Sequence, residues 1–211
     1  MTYRVVWFKR DLRVQDHRPL QEAAQQGPVL CLYVVEPSLW AQPDAAAQHY
    51  GFVRESLQAL DAQLQQLGSH LHVAVGEVLD VLGALHAAAP FEAVFAHEET
   101  GNAHTFARDL AVGRWCRTHG VRWQEWAQFG VVRRLRDRRE WQPRWEQHMG
   151  STQAPLISIL HAPDLHKVQH TPVLPWGCAP LPTANDLGLD PFEPHKRQRG
   201  GRPRAESVLH N

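Results

Sequence analysis

Apolar and polar positions change period along the first 126 residues in a way that predicts alternating strands and helices. Residues 3–8 are β-branched and aromatic and predict a strand. Residues 19–26 predict a short helix stopped by Gly27-Pro28. Residues 29–35 are apolar without a break, as a parallel strand covered on both faces would be, and Glu36-Pro37 ends the run. Val53, Leu57, Leu60, Leu64 and Leu67 recur at spacings of three and four, predicting a helix over 49–67 closed by Gly68. A strand over 71–75, a helix over 77–88, a strand over 93–96, a helix over 105–119 closed by Gly120 and a strand over 121–126 complete the series. Strands alternating with helices of this length predict an α/β fold: a five-stranded, doubly wound, Rossmann-like parallel sheet with helices on both faces. Right-handed crossovers leave few arrangements, and the order 3-2-1-4-5 is expected. Ligands of such sheets bind beyond the carboxyl ends of the strands, where the strand order reverses.

The pattern changes after about residue 150. Eight of the fifteen prolines fall between Pro155 and Pro194, and no period survives there. The chain therefore divides into an α/β domain over 1–150 and a Pro-rich linker over 151–211, expected to be irregular, largely disordered and open to proteases.

Composition narrows the function classes. No apolar stretch approaches the roughly 18 residues a membrane span needs, and the first residues meet charge too soon for a secretory signal. Cys31, Cys116 and Cys178 form no C-x-x-C pair, so neither a zinc site nor a disulfide framework is indicated, and a reduced, cytoplasmic protein is expected. Net charge is zero but uneven: residues 1–132 hold 10 Lys/Arg and 14 Asp/Glu, residues 133–211 hold 12 and 8. The basic excess over 133–139 and 196–204 fits either a nucleic-acid contact or solvated loop charge. The fourteen histidines show no H-E-x-x-H pattern, no Gly-rich phosphate loop follows the first strand, and no nucleophile elbow is present.

The most specific stretch is Val5-Val6-Trp7-Phe8-Lys9-Arg10-Asp11-Leu12-Arg13-Val14-Gln15-Asp16-His17-Arg18-Pro19-Leu20. Its strand end leads into a loop dense in charge, where Arg10 and Arg13 can pair with Asp11 and Asp16 or offer guanidinium forks to a phosphate. This stretch resembles the W-F-R-x-D-L-R-x-x-D-N-x-A-L opening of the DNA photolyase/cryptochrome family, with His17 in place of the usual Asn. His97-Glu98-Glu99-Thr100-Gly101-Asn102 resembles the family's N-E-E-Y-like segment, although helix capping by Thr100 or Asn102 with Glu98 and Glu99 nearby is the more ordinary role.

The resemblance implies an antenna domain whose pigment passes excitation to FAD in a following helical domain, where repair of a pyrimidine lesion or signalling takes place. Gly200-Gly201-Arg202-Pro203-Arg204-Ala205-Glu206-Ser207-Val208-Leu209 looks like the first turn of that domain. The expectation is therefore a truncated chain that alone retains no FAD and repairs no dimer. FAD and DNA would then be met only through a helical domain, which a separate chain could supply. Folate-binding members use an Asn-Glu pair where this chain has His104-Thr105, so a flavin or deazaflavin antenna is favoured over folate. The binding residues expected over the first and fourth strand ends are Phe8, Lys9, Arg10, Asp11, Leu12, Val35, Glu36, Asn102 and His104, with Lys9 and Arg10 supplying positive charge. Catalytic and metal-ligating residues are expected to be absent, and Trp7, Trp115, Trp123 and Trp126 to be packing residues. A general nucleotide-binding α/β domain, and a remnant that is non-functional or only meets partners, are the alternative readings.

Overall fold

In the computed structural model, which describes residues 2–133, 135–165, 181–190 and 197–209, β1 (Arg4–Phe8) lies at the middle of a parallel five-stranded sheet. It pairs on one side with β2 (Val29–Val35), which pairs with β3 (Leu71–Val75). On the other side it pairs with β4 (Ala93–His97), which pairs with β5 (Arg122–Trp126). The order 3-2-1-4-5 is the one the pattern of elements predicts.

Side-chain alternation along the strands splits the interior into two layers. Val6, Phe8, Cys31, Tyr33, Val73 and Phe95 point to one face and meet Leu20, Leu57, Leu60 and Leu64. These come from α1 (Arg18–Gln26) and α3 (Ala47–Gln66). Val5, Trp7, Leu30, Leu32, Val94 and Ala96 point to the other and meet Val81, Leu85, Val112 and Cys116 of α4 (Val78–Ala88) and α5 (Ala103–Thr118). Both faces of β2 are thus covered, and all seven of its residues are buried. The chain winds outward through β2 and β3, then crosses back to β4. The reversal opens a crevice between β1 and β4 at their carboxyl ends.

Element boundaries differ from the periodic expectation by a residue or two, and Gly68, at φ 85°, follows the end of α3 as expected. Two short helices go beyond it. Pro37, read as a strand stop, instead occupies the first turn of α2 (Pro37–Trp40), where its missing N–H costs nothing. Trp141, Trp145 and Met149 fall on α6 (Trp141–Met149). None of the described helices is long and apolar enough to cross a membrane.

The expectation of a largely disordered tail needs correction over its described parts. Leu160 and Leu189 are buried in the layer under α1 and α3. Leu160 N–H donates to Leu67 O at 2.7 Å, His161 O accepts from Val29 N–H at 2.8 Å, and Pro182 O accepts from the Tyr50 hydroxyl at 2.7 Å. A Pro-rich chain satisfies its backbone on the domain it crosses when it cannot do so within itself. The rest of that expectation, at 166–180, 191–196 and 210–211, lies outside the described residues.

Farther on, the Glu55 carboxylate of α3 accepts from Arg197 at 2.8 Å, Arg199 at 2.8 Å and Gly200 N–H at 2.7 Å. Gly200 sits so close to the helix that a Cβ there would lie 2.0 Å from Phe52 O. This contact introduces α7 (Arg202–Leu209). The arginines, Arg197 first, hold the Glu55 carboxyl down at about 2. Glu55→Gln is therefore expected to speed tryptic cleavage at Arg197 and Arg199 by about fivefold or more. Equal cleavage rates in the two proteins would show that the carboxylate does not fasten the segment.

Candidate functional site

The loop after β1 turns its charges inward. Lys9 is buried, with its Nζ 2.9 Å from Asp109 and 3.5 Å from Glu125. It also lies over the rings of Trp7 and Trp123, at 4.9 and 5.9 Å from their centroids. Beside it, Arg108 of α5 donates to Glu36 at 2.6 Å and Asp109 at 3.1 Å, bonds Glu99, and stacks on Trp7 at 4.7 Å. Arg133 reaches Asp109 at 2.9 Å and Glu125 at 3.2 Å, and Arg10 reaches Glu99 at 2.8 Å.

Lys9, Arg10, Arg108 and Arg133 thus meet Glu36, Glu98, Glu99, Asp109 and Glu125 in one network under the crevice, four cations against five carboxylates. Burial works against ionisation of Asp109, yet Lys9 and Arg108 outweigh it and hold its carboxyl below the ordinary value. Burial likewise opposes the charge of Arg108, but Glu36, Glu99 and Asp109 raise its affinity for the proton further.

A second buried cluster lies next to it. One oxygen of Asp11 accepts from His17 Nε2 and His97 Nδ1, both at 2.7 Å, and the other from Lys9 N–H at 2.8 Å. The three side chains bring potential metal-ligand atoms within 4.8 Å of one another. His17 Nδ1, however, accepts the Leu20 N–H at 3.1 Å as the cap of α1. Its proton therefore resides on Nε2, which donates to Asp11 and has no lone pair left for an ion. The cluster is a hydrogen-bonded anchor for the loop. His17 thus both caps α1 and ties it to the loop after β1.

At the crevice mouth, side chains from α2, the start of α4 and the amino end of α5 converge. The Ser38 hydroxyl donates to Glu77 at 2.6 Å and lies 3.3 Å from His104 Nε2. The Asn102 carbonyl caps α5 by accepting from Thr105 N–H at 3.1 Å, and its amide donates to Asp44 at 3.3 Å.

The nine expected binding residues therefore separate. Arg10, whose side chain is 60% exposed, Asn102 and His104 reach the mouth. Phe8, Asp11, Val35 and Glu36 are buried, and Leu12 packs against the core. Lys9 offers no free charge to an anion, because Asp109 and Glu125 already neutralise it. The pairing of Arg10 and Arg13 with Asp11 and Asp16 is also corrected: Arg10 pairs with Glu99, and Arg13 donates to the backbone oxygen of Asp16. Asn102 is the cap of the two candidates, and Glu99 is an ion-pair partner rather than a helix-end charge.

Arg108, Asp109, Glu125, Ser38 and Glu77 join the site without a local pattern in the sequence that points to them. Arg108 and Asp109 carry no local mark of burial, since charged residues on a helix are usually solvated. A cavity of about 210 Å³ near Ala46, Ala47, Gln48 and Asp190 touches none of the nine.

A family model described as DNA photolyase matches residues 4–133. Cryptochrome DASH of Gloeobacter violaceus is 34% identical over 113 residues, covering 50% of this chain and 23% of that protein. Among solved structures, a Synechocystis cryptochrome superposes with a TM-score of 0.75 at 18% identity, over 100% of this chain and 46% of that one. An archaeal photolyase from Sulfolobus tokodaii superposes with a TM-score of 0.73 at 18% identity, over the same shares. The chain thus spans less than half the length of these proteins.

Proposed function

This chain belongs to the DNA photolyase family, and we propose that its α/β unit is the antenna-binding part of a light-driven flavoprotein. FAD chemistry is assigned to a helical domain, on the same longer protein or a separate chain. The observation that carries this reading is the convergence of Arg10, Ser38, Asn102 and His104 at the strand-order reversal. The Sulfolobus tokodaii photolyase is described with two FAD molecules and an implied novel light-harvesting cofactor, which supports a flavin-type pigment.

The residues at the mouth fit such a ligand in a particular way. The network under the crevice holds no excess of cations, so its buried part offers no surplus to a phosphate. Arg10 gives its Nε to Glu99 but is 60% exposed, so the outer edge of its guanidinium, with the amino end of α5, is what remains for an anionic group. Ser38, Asn102 and His104 supply hydrogen-bonding groups for the edge of a ring. The pigment, when bound, supplies absorption of near-ultraviolet or blue light. The chain supplies position and a fixed electrostatic environment.

Titration of FMN, a deazaflavin and a reduced folate against wild type, Arg10→Ala and His104→Ala tests this. FMN or the deazaflavin should bind more tightly than the folate. Arg10→Ala should weaken FMN by roughly tenfold, the scale of one charge-assisted hydrogen bond. Binding unchanged in both variants would place the ligand elsewhere. No binding by any of the three would leave the crevice as a surface for docking another domain.

A further inference from the structure

Helix α6 presents its apolar stripe outward. Trp141, Trp145 and Met149 stand four residues apart and so share one face. No residue of the helix is buried, and these three are 42%, 39% and 61% exposed. Phe129 and Val131, in the loop after β5, are exposed as well. The two indoles stack with ring centroids 6.0 Å apart and planes 29° from parallel.

The rings are held in place. Trp141 Nε1 donates to Gly130 O at 3.0 Å. Trp145 lies so close over Gly130 that a Cβ there would sit 2.0 Å from its Cδ1. A ligand stacking on this pair would therefore find its platform already ordered, and the entropic cost of binding is reduced accordingly.

The charge around the platform is positive. Residues 127–150 hold six arginines against three acidic residues. Asp137 and Glu140 are engaged by Arg139 and Arg144, and Arg133 belongs to the network under the crevice. Arg136 and Arg138 are exposed and form no salt bridge among the described residues. Arg138 stands three residues before Trp141, and Arg144 three residues after it.

We propose that this surface binds single-stranded nucleic acid without sequence preference, independently of light and of any crevice ligand. Unpaired bases stack on the indole pair, and Arg136 and Arg138 contact the phosphates. Stacking on aromatic rings accepts every base, because each has a π face. Guanidinium–phosphate contacts supply affinity that falls with salt. A duplex keeps its bases stacked inside and cannot present them to the indoles. Stacked rings flanked by uncompensated arginines favour this partner over a lipid surface, into which an apolar helix face would have to sink.

The test uses the full chain and the fluorescence anisotropy of a labelled oligo(dT) of about ten nucleotides, in the dark. Binding is expected in the micromolar range at low salt. Trp141→Ala should weaken it roughly tenfold or more. Arg136→Ala with Arg138→Ala, two exposed changes that leave the fold intact, should reduce the slope of log affinity against log salt by about 1.4. The duplex of the same length should bind more weakly than the single strand. The proposal is overturned by no binding up to about 100 µM, by equal binding of duplex, or by unchanged affinity in both variants. Binding to phosphatidylcholine/phosphatidylglycerol vesicles without binding to oligo(dT), or Trp141-dependent dimerisation without it, would also overturn it.

Discussion

Arg108→Met is expected to lower the free energy of unfolding by about 3–5 kcal/mol, the cost of leaving buried charges without their partner. Arg108 is the hub of the network under the crevice. It touches Glu36, Glu99 and Asp109 at once, and all three carboxylates are nearly inaccessible to water. Methionine preserves much of the contact with Trp7 but leaves those like charges facing one another. Lysine should rescue only partly, since a single ammonium cannot reach three carboxylates as a planar fork does. Adding Glu36→Gln to Arg108→Met should recover part of the loss, because it removes one uncompensated charge. Urea denaturation of the two single variants and the double reads these differences. A loss below about 1 kcal/mol for Arg108→Met would show that water reaches the network and screens it.

Asp11→Ala should be comparably severe, at about 3 kcal/mol or more, because three buried donors lose their acceptor together. These are Lys9 N–H, His17 Nε2–H and His97 Nδ1–H. Burial alone would push the Asp11 carboxyl up, but His17 and His97 hold it well below the ordinary 3.8. The unfolded chain therefore takes up this proton at a higher pH than the native one. The stabilisation is present above about 3.8 and is lost as pH falls through the lower native value. Asp11→Asn retains an acceptor oxygen but no titrating group. Its stability should thus fall less steeply than wild type on going below that pH. Parallel pH profiles of the urea midpoint in the two proteins would contradict this assignment.

Part of the candidate site could be read directly. Asn102 stands just before the helix it caps, and its short amide explains both its position and its bond to Thr105. The same local logic puts Glu99 at that helix end. Its carboxylate instead turns toward Arg10 and Arg108, because the ion pairs stabilise a buried carboxylate more than a distant helix dipole does. His17 shows how local and tertiary demands combine. Its bonds to Leu20 and Asp11 lie within one short stretch of chain, but His97 reaches the same carboxylate only because β4 lies beside β1.

The sequence by itself determined the five strands, the four longer helices between them, the parallel sheet and the family, but not the short helices α2 and α6. Each of these rests on periodicity within a few residues or on a contiguous stretch such as Trp7 to Leu20. The tertiary structure decided which charges remain free. Lys9 finds Asp109 a hundred residues away, and Glu55 finds Arg197 and Gly200 across more than a hundred and forty. No local pattern encodes such pairings. They follow from strand register, from the crossing of helices over the sheet, and from the desolvation that forces a buried charge to find its counterion.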